Sequence, residues 1–138
     1  MTNAVSQDLP QRAPVTACST AKVLVLDDDE SFRALARAIL EPAGFEVLES
    51  ANVDQGLVQM RDNGVEAVIL DLVMPGRDGF EALREFKQSF PEIRVVAVSG
   101  ASESELYLTV SAHMGADASL EKSRISALCP LLRVVLDR

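Results

Sequence analysis

The sequence is poor in cysteine and tryptophan, and this scarcity excludes several kinds of site. Among its 138 residues there is no tryptophan, and the two cysteines are Cys18 and Cys129. They stand far apart in the chain without the close spacing that zinc ligands show, so a zinc site and a disulfide framework are both disfavoured. We expect two free thiols in a protein of the reducing cytoplasm.

Long apolar runs and an excess of positive charge are also missing. No run reaches the roughly 18 apolar residues that a membrane span needs, and the first twenty residues do not have the pattern of a secretory signal. Lysine and arginine number 13 against 21 acidic residues, which gives a net charge of -8. Because affinity for nucleic acids comes largely from basic side chains, we expect no direct binding to DNA or RNA and no membrane partner.

The length and the apolar content indicate one folded domain. A chain of 138 residues with 48% apolar residues can build a single core. Residues 1–21 contain two prolines and no hydrophobic period, so we predict a flexible tail there. The domain itself is predicted over residues 22–138.

Short apolar runs alternate with helical patterns along that domain. The runs at residues 23–26, 67–70 and 95–98 are typical of strands buried on both faces, while residues 45–48 look like an edge strand. Residues 118–120 form the weakest predicted strand. Five strands that alternate with helices predict an α/β fold of the flavodoxin-like (βα)5 type, a doubly wound parallel sheet with strand order 2-1-3-4-5.

Two of the predicted helices have recognisable starting residues. Ser102 and Glu105 form a capping box for the fourth helix, and Ser126 is expected to cap the last one. The fourth helix is predicted to pack through an apolar face. Its members are Leu106, Tyr107 and Val110.

Polar residues follow the apolar runs of four predicted strands. The first strand ends in Asp27-Asp28-Asp29, the third in Asp71 and the fourth in Ser99, and Lys122 follows the fifth. In parallel sheets of this kind, ligands bind beyond the carboxyl ends of the strands, at the point where the strand order reverses. The sequence therefore predicts that these side chains converge in one cleft.

Several carboxylates in one cleft repel each other unless a cation neutralises them. Mg²⁺ suits such a site because it takes one or two carboxylates together with water and phosphate oxygens. A carboxylate beside Mg²⁺ and a lysine can act as a nucleophile toward a phosphoryl group and form an aspartyl phosphate. Ser99 could then donate a hydrogen bond to a phosphoryl oxygen.

Four segments resemble, in order and spacing, the receiver domain of the response-regulator family: VLVLDDDES, ILDLVMPGRDGFEAL, VVAVSGASE and GADASLEKS. The resemblance covers residues 22–138. It implies a stand-alone receiver in a two-component pathway or phosphorelay, with Asp71 as the phosphoacceptor. Its partners would be a histidine kinase or a histidine phosphotransfer protein and an unknown downstream protein, and it would not be an enzyme with an external substrate.

The resemblance also implies roles for individual site residues. Lys122 and Ser99 stand at the family's lysine and switch positions, and the expected ion is Mg²⁺, with Mn²⁺ as a substitute. The metal ligands would be Asp28, Asp71, the backbone carbonyl of Val73 and, through water, Asp27.

Four positions have consequences within this resemblance. The family has an aromatic residue where this chain has Ser119, and a proline where it has Ser123, so the loop after Lys122 is expected to take another shape and the usual output switch is in question. Val73 and Ala101 flank the path of the hydrolytic water with apolar side chains, which predicts slow self-dephosphorylation.

Two other functions fit part of the pattern. Asp27 and Asp29 match the D-x-D motif of haloacid-dehalogenase-like phosphohydrolases, in which Asp27 rather than Asp71 would be phosphorylated. A pseudo-receiver, an interaction module that never carries phosphate, is the second alternative.

Overall fold

The computed structural model describes residues 21–100 and 104–137. The predicted tail, except Ala21, lies outside these ranges, as do Cys18, Ala101 and the predicted cap Ser102. The main elements are β1 Lys22–Leu26, α1 Glu30–Leu40, β2 Glu46–Ser50, α2 Val53–Asp62, β3 Ala67–Asp71, α3 Gly79–Ser89, β4 Arg94–Ser99, α4 Ser104–His113, β5 Ala118–Glu121 and α5 Leu128–Leu136. Two 3₁₀ helices, Glu41–Ala43 and Lys122–Ala127, follow α1 and β5. Within the described ranges, no helix has the length and apolarity needed to cross a bilayer.

All five strands pair in parallel in the order β2-β1-β3-β4-β5. This order confirms the predicted flavodoxin-like topology. The central strand β3 has five consecutive buried residues, as expected for a strand covered on both faces. The edge strand β2 begins at Glu46 and extends two residues beyond the predicted run.

Two hydrophobic clusters cover the two faces of the sheet. Side chains of α1 and α5 pack against alternate residues of β1, β3 and β4, including Val23, Val25 and Ile69. Side chains of α2 and α3 pack against the residues in between, such as Leu24 and Val68. Because side chains alternate along a strand, each apolar run contributes residues to both clusters.

A short hairpin that was not predicted from the sequence follows β3. Its strands are Val73–Met74 and Arg77–Asp78. Pro75 and Gly76 connect them, and Gly76 has φ +75°, a pattern of proline followed by left-handed glycine that suits a type II turn. The hairpin leads directly into α3, which Asp78 caps by accepting a hydrogen bond from the N–H of Phe80.

Gly79 opens α3 at a point where the chain passes close to β3. A Cβ atom at this position would lie 2.5 Å from the Cα atom of Leu72. Only glycine permits this approach, which sets the path from the end of β3 to α3.

The predicted apolar face of α4 is wrong for two of its three residues. Leu106 is 60% exposed and Val110 is 37% exposed, whereas the half-buried Tyr107 contacts the ring of Phe80 edge to face at 5.6 Å. The sheet side of α4 instead carries serines, among them Ser104. Serine can be buried there because the Ser104 hydroxyl donates hydrogen bonds inside the protein.

The predicted cap of the last helix is also wrong. The α-helix starts at Leu128, with Ala127 at the N-cap position and no side-chain cap. Ser126 belongs instead to the 3₁₀ helix Lys122–Ala127 that links β5 to α5. This tighter helix takes the place of the loop after Lys122, and the peptide bonds in the described ranges are all trans.

Candidate functional site

The alternation of the strands brings two functional side chains to one face of the sheet. Val25 in β1 and Ile69 in β3 belong to the cluster beneath α1 and α5. The residues two positions further on continue the same face: Asp27 directly follows β1, and Asp71 is the last residue of β3. Since β1 and β3 are neighbours in the sheet, the two carboxylates meet at its carboxyl edge.

Asp27, Asp28 and Asp71 form a compact acidic cluster. One carboxylate oxygen from each lies within 4.8 Å of the other two. Asp27 and Asp71 are buried, with exposed fractions of 0% and 3%, whereas Asp28 is exposed. The predicted convergence of these carboxylates is therefore present.

Backbone N–H groups orient the two buried carboxylates. The N–H of Asp29 donates to Oδ1 of Asp27 at 2.9 Å, and the N–H of Val73 donates to Oδ1 of Asp71 at 3.1 Å. In both cases the second oxygen is left for other partners. The bond from Val73 also places the backbone of that residue beside Asp71.

Lys122 is the cation that faces this cluster. Its Nζ lies 2.6 Å from Oδ2 of Asp27 and 3.4 Å from Oδ2 of Asp71. Burial works against the charge of the ammonium, but the close contact with Asp27 and the negative charges of Asp27 and Asp71 outweigh it and raise the pKa of Lys122. The amine is therefore an ammonium at neutral pH.

Asp71 has the more perturbed acidity. Burial, assisted by the negative charge of Asp27 and opposed by the Val73 N–H and the Lys122 charge, raises the pKa of Asp71 to about 6. The group is still mainly ionised at neutral pH, but its charged form is held at a cost in free energy. A positive charge that enters the site therefore stabilises the ionised form of this carboxylate.

The oxygen Oδ2 of Asp27 has an unusual environment for a buried atom. It accepts no hydrogen bond of acceptable geometry from the described residues, although Lys122 Nζ lies within ion-pair distance. Few buried polar atoms in proteins lack a hydrogen bond of good geometry. One ammonium also cannot neutralise three carboxylates, so the donor set suits a hard divalent cation.

Arg33 and Glu49 support the site from its periphery and were not predicted from the sequence. Arg33 Nη1 donates to the backbone carbonyl of Asp27 at 2.6 Å, while its Nε pairs with Oε1 of Glu49 at 2.9 Å. Arg37 pairs with the other oxygen of Glu49 at 2.8 Å. Arg33 and Arg37 stand four residues apart on α1 and so share a face, which was the available sequence signal.

Ser99 is at the predicted strand end but makes other contacts. It follows Val98, the β4 partner of Asp71, so strand alternation directs its side chain toward the opposite face. Its hydroxyl and carbonyl oxygens accept hydrogen bonds from the Ser104 hydroxyl at 3.3 and 3.2 Å. Contact between Ser99 and a group on Asp71 would require the side chain to rotate.

The D-x-D interpretation fails at Asp29. This residue is the N-cap of α1 and accepts a hydrogen bond from the N–H of Ser31 at 2.9 Å. Its carboxylate serves the helix end and is exposed to solvent. The geometry therefore does not support a phosphohydrolase that works through Asp27 and Asp29.

A family model described as the response regulator receiver domain matches residues 23–132. The chain belongs to this family. Receiver domains are signalling domains of two-component regulatory systems. The family assignment agrees with the placement of Lys122 and of the acidic cluster, which includes Asp71, at one edge of the sheet.

Relatives of this receiver domain are found among bacterial regulatory proteins. It is 33% identical to the transcriptional regulatory protein CpxR of Klebsiella pneumoniae subsp. pneumoniae over 73% of this chain and 42% of CpxR. It is also 33% identical to the KDP operon transcriptional regulatory protein KdpE of Escherichia coli, over 84% of this chain and 51% of KdpE. The chain thus spans about half or less of these relatives' length.

A solved receiver domain has a very similar structure. The response regulator receiver domain protein (CheY-like) of Methanospirillum hungatei superposes with a TM-score of 0.77 and 26% identity, over 86% of this chain and 94% of that one. The likeness extends to nearly the whole of a comparable receiver domain.

Ser119 changes the surface of this receiver domain at the position where the family has an aromatic residue. It is half-buried in β5 and lines an open cavity of about 610 Å³, whose other walls are α4 and the 3₁₀ helix. The small side chain leaves this space unfilled.

Proposed function

We propose that this receiver domain is a phosphorylation-dependent switch whose phosphoacceptor is Asp71. The phosphoryl donor is a phosphohistidine of a histidine kinase or of a histidine phosphotransfer protein. The observation that supports this proposal is the buried Asp71 carboxylate, which shares Lys122 with Asp27 at the carboxyl edge of the sheet.

The residues of the site fit a bound Mg²⁺, for which Mn²⁺ could substitute. Asp28, Asp71 and the backbone carbonyl of Val73 would hold the ion directly, and Asp27 through water. The close approach of three carboxylates and the poorly satisfied Oδ2 of Asp27 support this assignment. When bound, the ion supplies positive charge that the cluster lacks and that a phosphoryl group requires.

Asp71 provides the nucleophile in this scheme. A bond forms between one of its carboxylate oxygens and phosphorus while the P–N bond of the phosphohistidine breaks, and the imidazole nitrogen leaves with the electron pair. Lys122 is already placed within 3.4 Å of Asp71, so its ammonium can neutralise part of the charge on the transferred phosphoryl oxygens. After its side chain rotates toward the site, the Ser99 hydroxyl would donate a hydrogen bond to one of these oxygens.

The domain then signals by protein contact, through a downstream target or by passing the phosphoryl group onward. Its net charge of -8 argues against direct contact with nucleic acid. The predicted cytoplasmic location and the domain boundaries of residues 22–138 remain predictions.

A phosphotransfer assay tests the assignment of Asp71. The chain is incubated with Mg²⁺ and acetyl phosphate or phosphoramidate, and we expect intact mass to rise by one phosphoryl group. Asp71→Asn should abolish this rise, whereas Asp78→Asn, which alters the exposed cap of α3, should not. Labelling of Asp71→Asn to the level of the parent would disprove the assignment.

The same assay separates the two alternatives. A phosphohydrolase of the D-x-D type would be labelled on Asp27 and would retain its label in Asp71→Asn. A pseudo-receiver would take no phosphoryl group from small donors or from a histidine kinase, even at high Mg²⁺ concentration.

A further inference from the structure

Lys122 has an aromatic neighbour as well as its two carboxylates. Its Nζ lies 4.6 Å from the centroid of the Phe32 ring, within the distance at which an ammonium and a ring face attract each other. Phe32 is the third residue of α1 and only 6% exposed. The helix thus presents the face of a ring to the Lys122 ammonium.

The stem of Lys122 also runs close to the backbone of Gly100. Gly100 lies so close that a Cβ atom there would be 3.3 Å from Cδ of Lys122. The lysine side chain therefore passes Gly100 on its way to the acidic cluster and ends over Phe32. The absence of a side chain at Gly100 leaves room for this path of the lysine.

Among the described residues, the two carboxylates and the ring that contact the ammonium differ in how they respond to a divalent cation. A hard cation such as Mg²⁺ competes for carboxylate oxygens, so it weakens the pairs of Lys122 with Asp27 and Asp71. It does not compete for a benzene ring in the same way. Phe32 is therefore the partner of Lys122 that persists when the carboxylates are engaged.

We propose that Phe32 is a positioning residue that holds the Lys122 ammonium at the mouth of the site while the carboxylates bind a cation and Asp71 receives a phosphoryl group. The proposal rests on the proposed function of Asp71. Phe32 does not touch the reacting atoms. It acts by keeping the ammonium where a phosphoryl oxygen will arrive, so that the Lys122 side chain loses less conformational freedom during transfer.

The competing interpretation is that Phe32 only fills the core. Phe45 provides the matched control, because it belongs to the same hydrophobic cluster and is 4% exposed. Phe45→Leu and Phe32→Leu each remove one phenyl ring from the same hydrophobic cluster. Only Phe32→Leu also removes the contact between a ring and Lys122.

The first measurement needs neither metal nor phosphate. The chain has three lysines, Lys22, Lys87 and Lys122, so lysine labelled with ¹³C at Cε gives a spectrum of three signals. We expect the ε-methylene protons of Lys122 to resonate upfield of the other two, because they lie near the face of a ring. The upfield shift should vanish in Phe32→Leu, survive in Phe45→Leu and persist in the parent when Mg²⁺ is added.

The second measurement is the rate of phosphorylation by phosphoramidate at saturating Mg²⁺. Phe32→Leu should be roughly three- to tenfold slower than the parent, the factor that loss of one cation–π contact implies. Phe45→Leu should stay within about twofold, because it leaves the Lys122 contact intact. Phe32→Tyr, which keeps the ring, should restore the rate. If Phe32→Leu does not fold, Phe32→Met, which keeps more of the side-chain volume, replaces it.

Several outcomes would overturn the proposal. These are an unshifted Lys122 signal in the parent, loss of the shift on addition of Mg²⁺, or equal slowing by the Phe32 and Phe45 variants. Failure of the proposed function has a different result, since the parent would then take no phosphoryl group while the metal-free spectrum still reports the position of Lys122.

Discussion

The Nζ atom of Lys122 lies 2.6 Å from Oδ2 of Asp27, a carboxylate with no exposed surface. The same ammonium is 3.4 Å from Oδ2 of Asp71. Two buried negative charges therefore share one positive charge, and the exposed Asp28 adds a third carboxylate to the cluster. Without a metal ion this end of the sheet carries an excess of negative charge that opposes folding.

Removing the charge of Asp71 should stabilise the metal-free protein. We expect Asp71→Asn to raise the free energy of unfolding at pH 7.5 by on the order of 1–2 kcal/mol, once screening by water at the mouth of the site is taken into account. The melting temperature should rise by roughly 3–8 °C. Thermal unfolding in the presence of a chelator measures the change.

The pH dependence of this effect follows from the acidity of Asp71. Its pKa rises from 3.8 in an ordinary environment to about 6 in the folded protein, so between these values the folded state binds more protons than the unfolded state. The contribution of Asp71 to stability therefore falls as the pH rises from about 4 to about 6, and the penalty is fully present above about 6. The gain from Asp71→Asn should shrink on acidification and disappear below about pH 4.

Asp62 offers a control for the loss of one negative charge. It is exposed at the end of α2 and pairs with Arg61, so Asp62→Asn should change stability by less than about 0.5 kcal/mol. A melting temperature for Asp71→Asn at or below that of the parent at pH 7.5 would show that the Asp71 charge is well compensated in the absence of metal.

The sequence was sufficient to predict the sheet and the convergence of the acidic cluster, because both follow from short-range periodicity. Apolar runs that end in Asp27 and Asp71 place those side chains on one face wherever the strands are neighbours. The contacts of Phe32 and Arg33 were not predictable in the same way. They depend on how α1 rotates and docks on the sheet, which no local pattern determines.

The error in α4 has a physical cause of its own. Leu106 and Val110 have helical spacing, and spacing alone indicated a buried face. The structure buries Ser104 instead, because its hydroxyl finds oxygen acceptors on Ser99. The Ser104 hydroxyl thus donates to oxygen atoms of Ser99 across two elements, a contact that hydrophobic periodicity does not predict.

Asp28 and its neighbour Asp29 should respond to substitution in opposite ways. Asp28 is an exposed member of the acidic cluster, whereas Asp29 caps α1 by accepting the N–H of Ser31. We expect Asp28→Ala to weaken Mg²⁺ binding at least tenfold, which corresponds to a loss of about 1.4 kcal/mol or more in binding free energy. The melting temperature of the metal-free protein should not fall. Asp29→Ala should lose about 1 kcal/mol of stability through the missing cap and bind Mg²⁺ with no more than a small change.

Titration calorimetry with Mg²⁺ and thermal unfolding in a chelator, applied to the parent and both variants, give the six values needed. A large fall in melting temperature for Asp28→Ala would mean that Asp28 is structural. Equal losses of Mg²⁺ affinity in the two variants would mean that the general negative charge of the loop, and not the Asp28 carboxylate itself, attracts the ion.

Val73 stands beside the acceptor carboxylate with a side chain that cannot form hydrogen bonds. Its N–H donates to Oδ1 of Asp71 at 3.1 Å, and its side chain is 47% exposed at the start of the hairpin. Hydrolysis of an aspartyl phosphate needs a water molecule in line behind phosphorus, and an isopropyl group cannot orient one. The second residue expected to flank this path, Ala101, lies outside the described residues, so the test uses Val73 alone.

We expect Val73→Asn and Val73→Thr to release phosphate roughly three- to tenfold faster than the parent, because a polar side chain there can hold the attacking water. Val73→Thr keeps the shape of valine and so isolates hydrogen bonding, whereas Val73→Ala reports any crowding of the water path. Val58 on α2 is also 47% exposed and supplies the control, since Val58→Asn should leave the lifetime unchanged. Each protein is phosphorylated with labelled donor, separated from it, and followed by phosphate release at fixed pH and Mg²⁺ concentration. Faster release from Val73→Ala alone would mean that bulk controls the lifetime, and equal rates in all Val73 variants would mean that backbone groups position the water.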